Sequence, residues 1–109
     1  MFKYFYLIII LFFLLLPSCK SDVGDPCTET TDCEVNLICE DSFKDGYCLK
    51  YRCNLDSEDS CPAEAQCTLF KDRNSTYCLA KCNKDEDCRE SYSCKAIPNN
   101  KYRVCLPKE

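Results

Sequence analysis

Hydrophobic positions divide the chain into two unequal parts. Residues 4–16, "YFYLIIILFFLLL", are all apolar or aromatic, and Lys3 gives them a positive flank. Thirteen residues of helix span about 20 Å, short of the ~30 Å hydrocarbon core of a bilayer. The pattern predicts the apolar core of a signal peptide over residues 1–18, not a membrane span. Past Cys19 the long aliphatic runs stop, and short apolar runs alternate with turn residues.

Paired short runs around a turn predict β-hairpins. Residues 68–70, "TLF", and 75–77, "STY", flank Lys71, Asp72, Arg73 and Asn74. Residues 95–97, "KAI", and 101–104, "KYRV", flank Pro98, Asn99 and Asn100, and a third turn is centred on Lys44, Asp45 and Gly46. Asp-Gly favours tight hairpins, proline fixes φ, and asparagine tolerates left-handed backbone. The stretches "TETTD" at 28–32 and "NKDED" at 83–87 read as loops or a single helical turn. Little regular helix is expected outside the signal peptide.

Cysteine changes the picture most: there are 13 in 109 residues. With Cys19 set aside, the other twelve form three quartets: Cys27, Cys33, Cys39, Cys48; Cys53, Cys61, Cys67, Cys78; and Cys82, Cys88, Cys94, Cys105. The intervening residues number 5, 5 and 8, then 7, 5 and 10, then 5, 5 and 10. Leu49, Leu79 and Leu106 follow the fourth cysteine, and Tyr47, Tyr77 and Val104 precede it. Asp32 and Asp87 precede the second cysteine, where the middle quartet has Ser60. Aligned neighbours as well as aligned cysteines indicate internal repetition. The predicted fold is therefore small and disulfide-rich: three tandem four-cysteine β-hairpin repeats over 27–52, 53–81 and 82–109.

A chain so poor in aliphatic residues needs covalent staples, and export to an oxidising compartment permits them. Each quartet allows three pairings. First with third and second with fourth is favoured, because interlocked bridges clamp a hairpin to its preceding loop. The short spacers 49–52 and 79–81 also permit bridges between neighbouring repeats.

Cys19 is left over from the pairing. Leu16, Pro17, Ser18 and Cys19 resemble the lipobox of bacterial lipoproteins, with an aliphatic residue three positions ahead of the cysteine and a small one just ahead. The resemblance implies cleavage before Cys19, diacylglycerol on its thiol and often an acylated amine. Two or three acyl chains make a durable membrane anchor. Lys20, in place of aspartate, is compatible with sorting to an outer membrane or cell surface. The alternative is a eukaryotic secreted protein cut after Ser21, in which Asn74-Ser75-Thr76 would be an acceptor for N-glycosylation on Asn74. In either case residues 19–26 read as a short mobile tether.

The spacing C-x5-C-x5-C-x8-C, with "TTDC" and "DEDC" before the second cysteine, resembles the cysteine-rich segments of bacterial surface lipoproteins, whose pattern is similar to Dickkopf N-terminal and EB-type modules. It covers residues 27–105, and cysteine-spacing families share folds more reliably than functions.

Charge and chemistry exclude more than they assign. From Cys19 onward 13 Lys and Arg face 18 Asp and Glu, a net charge of −5, which argues against nucleic acid. Residues 22–52 carry −5, 53–80 carry −3, and 81–109 carry +2. With no histidine there is no Ser-His or Cys-His nucleophile, and no cofactor is implied. The C-x2-C knuckles of zinc sites are missing, and Asp85, Glu86 and Asp87 lack the alternating spacing of a calcium loop, so no metal is expected. The expectation is a non-enzyme: a monomeric surface module with an extracellular or envelope protein as partner. Tyr92, Lys101, Tyr102 and Arg103 are the candidate contact patch, unless Tyr92 and Tyr102 merely cover the bridges of their own repeat. A protease inhibitor presenting Lys71 or Arg73 is the other class, since disulfide-framed loops lose little entropy on binding.

Overall fold

The computed structural model describes residues 2–14 and 20–108. Helix α1 (Phe2–Leu14) takes up most of the apolar block, and the aromatic and aliphatic side chains of residues 4–12 are exposed. Among the described residues no helix is long and apolar enough to cross a membrane. Leu16, Pro17, Ser18 and Cys19 lie outside the described residues, and so does the expected boundary at 18/19.

Three antiparallel hairpins follow: β1 (Ile38–Glu40) with β2 (Tyr47–Tyr51), β3 (Ala65–Phe70) with β4 (Ser75–Cys82), and β5 (Tyr92–Lys95) with β6 (Arg103–Pro107). In each, the third cysteine of a quartet stands opposite the fourth: Cys39 and Cys48, Cys67 and Cys78, Cys94 and Cys105. Ahead of each hairpin runs a loop with one 3-10 turn, at Thr30–Asp32, Glu58–Ser60 and Asp85–Asp87.

Six disulfides tie loops to hairpins, and every quartet has the interlocked pairing: Cys27–Cys39, Cys33–Cys48, Cys53–Cys67, Cys61–Cys78, Cys82–Cys94 and Cys88–Cys105. None runs between neighbouring quartets. Sequence separations of 12 to 17 residues correspond to about 3 kcal/mol each in the loop-entropy account. Within a quartet the two bridges stack, with three sulfurs such as those of Cys27, Cys33 and Cys48 inside 4.8 Å of one another.

The hairpins share one sheet, and β4 is its hub. β3 lies along one side of it, while β2 reaches it through Lys50 and Tyr51 and β6 through Arg103 and Val104. The residues flanking the fourth cysteines form the common core, with Tyr47, Leu49, Tyr77, Leu79 and Val104 all buried. At the seam between β2 and β6 the Tyr47 hydroxyl accepts from the Ala80 N–H at 2.9 Å and donates to the Cys105 carbonyl at 3.1 Å. One side chain thereby joins all three hairpins. Burial raises its pKa above the ordinary tyrosine value, so the hydroxyl keeps the proton it donates.

Two sequence expectations are corrected. Of the expected tether 19–26, residues 21–25 are hydrogen-bonded into the fold. Ser21 N donates to the Asp32 carbonyl at 3.0 Å and Glu34 N to the Ser21 carbonyl at 2.9 Å. Gly24 N donates to Cys48 O, Cys48 N to Asp25 O, and Val23 is buried. Backbone groups of Cys48 that β1 and β4 leave unpaired recruit this segment, since buried N–H and C=O groups need partners. The middle turn spans residues 71–74 as expected, and the two outer turns are wider than expected. Ala96, Ile97, Lys101 and Tyr102 lie in a connection rather than in strands, because Asn100 N closes a tight turn onto Ile97 O at 3.1 Å with Asn99 at φ 72°. In the first hairpin Asp45 and Gly46 both have positive φ, and a Cβ on Gly46 would meet the Cys27 carbonyl oxygen at 2.0 Å.

Candidate binding surface

The residue ahead of each second cysteine closes its loop. Asp32 Oδ2 accepts from the Thr28 and Glu29 N–H groups and the Thr28 hydroxyl, and Asp87 Oδ2 accepts from Asn83 N and Lys84 N. In the middle loop Ser60 Oγ takes the same place and accepts from Asn54 N at 3.0 Å. Backbone N–H donation holds both aspartates below the ordinary carboxylate pKa. They stay ionised as structural acceptors, which is the wrong state for a general acid.

Tyr92 is corrected from a contact residue to a core residue. It is 2% exposed, donates its hydroxyl proton to Lys44 O at 2.7 Å and lies 4.2 Å beneath the Arg89 guanidinium. Arg89 Nη2 donates to Lys44 O at 2.8 Å, to Tyr92 Oη at 2.6 Å and to Gly46 O. This network locks the third hairpin onto the first. The corresponding positions after the second cysteine hold Glu34 and Pro62, so the arginine has no counterpart in the other quartets to mark it in sequence.

Lys101, Tyr102 and Arg103 remain at the surface, with Tyr102 40% exposed. Lys81 Nζ sits 4.2 Å from the Tyr102 ring centroid and Lys101 Nζ 5.4 Å from it. Lys81 also donates to Ala63 O at 3.1 Å. Sequence reading missed Lys81 because it belongs to the preceding hairpin.

These residues border a groove of two adjoining pockets, of about 110 and 230 Å³, which share Leu55 and Asn99. The first is lined by Cys67, Lys81, Lys101 and Tyr102, the second by Leu69, Lys71, Ile97 and Pro98. Leu55 is half exposed, and no carboxylate lines either pocket among the described residues. The second pocket is mainly apolar and the first is mixed, and Lys71, Lys81 and Lys101 line them on a chain whose net charge is negative.

Lys71 and Arg73 occupy a closed turn, with Arg73 N donating to Phe70 O and Asn74 N to Lys71 O, both at 3.2 Å. That is a turned chain, not the extended strand a protease cleft accepts. Asn74 is exposed at the tip of this turn. All sulfurs in the three close cysteine trios are bonded in disulfides and offer no thiolate to a metal.

Compared with known proteins, the chain matches no family model, no curated protein and no solved structure. Its class is set by the fold: a small, cysteine-rich, mostly-sheet protein whose six disulfides are those of an exported or extracellular chain.

Proposed function

We propose that the chain is an exported, non-catalytic binding module of three tandem four-cysteine repeats, held at a membrane surface by lipid on Cys19. Its partner is an extracellular or envelope protein. The observation that carries the binding role is the groove, apolar beside Leu55, Leu69 and Ile97, that Lys71, Lys81 and Lys101 line on a chain of net negative charge. The lipobox-like residues 16–19 and the exposed apolar helix ahead of them support the anchor. So does the placement of Ser21: cleavage after it would remove its hydrogen bonds to Asp32 and Glu34, whereas cleavage before Cys19 keeps them. Since the fold begins at Ser21, only Lys20 separates the anchor from the body, which sits directly against the headgroups.

Intact mass of the protein from its native membrane, with and without reduction and thiol alkylation, tests this reading. The expected mass is that of residues 19–109 plus acyl chains, with twelve thiols labelled only after reduction. A lipid-free mass of residues 22–109 would replace the anchored module with a freely secreted one.

A further inference from the structure

Among the described residues strand β3 pairs with β4 alone, and its Gln66, Cys67 and Leu69 line the groove. Lys81 N donates to Glu64 O at 2.9 Å, which fixes the phase of the antiparallel ladder. Gln66, Thr68 and Phe70 therefore turn their backbone groups toward β4, and Cys67 and Leu69 turn theirs away. Among the described residues, the one hydrogen bond at this outer edge beyond Ala65 comes from a side chain, Gln66 Nε2, which donates to Cys67 O at 3.0 Å. It stands where a neighbouring strand would place an N–H.

The walls of the groove stand on opposite faces of β3, and of the two residues whose backbone groups turn outward Leu69 is exposed and Cys67 buried. Cys67 is bonded to Cys53, so the loop carrying Leu55 lies on the face that Cys67 shares with Leu69. Thr68 points to the opposite face, where its hydroxyl accepts from Asn100 Nδ2 at 3.0 Å and pins down the β5–β6 connection. The gap between Leu55 and residues 97–102 thus runs along the outer edge of β3. Sheet proteins usually guard such an edge with proline, lysine or a bulge. The sequence of Ala65–Phe70, "AQCTLF", has no charge and no proline, and Leu69 is 37% exposed.

We propose that this edge takes an extended, acidic peptide segment of a partner protein as an added strand. Main-chain hydrogen bonds to Cys67 and Leu69 supply the register, and alternate aliphatic side chains enter the pockets beside Leu55 and Leu69. Carboxylates on the peptide meet Lys71, Lys81 and Lys101. The inference rests on the binding-module reading above, but not on the lipid.

The test uses the oxidised full-length protein in nonionic detergent, with a short peptide alternating glutamate and valine as probe. The same peptide N-methylated at every second residue, and a version with lysine for glutamate, are the comparisons. The glutamate peptide is expected to bind and to slow amide exchange at Leu69 at least about tenfold, as a new hydrogen bond does. N-methylation should weaken binding by about tenfold or more, and the lysine peptide should not bind. Lys71→Glu should weaken the glutamate peptide several-fold while the exchange pattern elsewhere stays unchanged. No binding of the glutamate peptide, binding indifferent to N-methylation, or protection away from β3 would each overturn the added strand. Because intact mass reads the anchor independently, a lipidated protein that fails here loses the edge proposal alone, and a lipid-free one that passes keeps it.

Discussion

The middle hairpin and its two neighbours have the same disulfide staples and different tasks. β3 and β4 run for six and eight residues, against three and five in the first hairpin and four and five in the third. The extra length of β4 lets β2 and β6 pair with successive stretches of it while β3 lies along its other side. Staples make each hairpin locally stable, but the shared strand makes the three a single sheet. The comparison breaks most sharply at the bridges. Cys61→Ser with Cys78→Ser removes a bridge whose Cys78 is fully buried and pairs with both Lys50 and Cys67. The expected loss is toward the upper end of about 2–5 kcal/mol, with all three hairpins unfolding together in urea. Removing Cys82–Cys94 should cost less and loosen only the third hairpin. Equal losses from the two bridges would mean that the hub role of β4 is not energetic.

A smaller effect separates equivalent residues in the two kinds of hairpin. Tyr47 and Tyr77 both precede a fourth cysteine, yet only the Tyr47 hydroxyl bridges hairpins. Tyr47→Phe leaves Ala80 N–H and Cys105 O without that partner, and should lower stability by about 1–3 kcal/mol. Tyr77→Phe, at a hydroxyl with no hydrogen bond among the described residues, should stay within about 0.5 kcal/mol of the parent. Chemical denaturation of the two variants reads the difference directly. A Tyr77 loss as large as that of Tyr47 would assign both effects to ring packing and none to the seam.

These contrasts explain what could be read in the sequence. Hairpins, quartets and the buried positions around each fourth cysteine were legible, because local turn chemistry and repeated neighbours encode them. The wide turns at 41–46 and 96–102 were not, since Pro98 and Asp45-Gly46 mark a bend without fixing how far the strands extend. Nor were the joints between hairpins. The Tyr47 seam, the Arg89 lock and the packing of Val23 depend on residues about 10 to 60 positions apart, and no periodicity links such pairs. The candidate patch was half legible for the same reason. Lys101 and Tyr102 announced themselves by type, whereas Tyr92 looked alike in sequence and is held in the core by Lys44, 48 residues away, together with the nearby Arg89.

The smallest predicted effect contrasts carboxylate closure of the outer loops with hydroxyl closure of the middle one. Asp32 and Asp87 have pKa values below the ordinary 3.8 because backbone N–H groups donate to the ionised form. A carboxylate with a depressed folded-state pKa binds its proton more readily in the unfolded chain. Its stabilisation is therefore complete above pH 3.8 and disappears as the pH falls through the lower folded-state value. Ser60 does not titrate, so the loop it closes has no such dependence. Both aspartates are fully exposed, and six intact disulfides keep the fold closed, so acid should open these loops locally and leave the sheet intact. In an NMR titration below pH 4, the amide protons of Thr28, Glu29, Asn83 and Lys84 should shift together as their acceptor is protonated, while Asn54 N–H stays in place. Asp32→Asn should remove the shifts at Thr28 and Glu29 and preserve those at Asn83 and Lys84. A matching shift at Asn54 would show instead that acid acts on all three loops through the shared sheet, and the distinction between outer and middle hairpins would then lie in strand length alone.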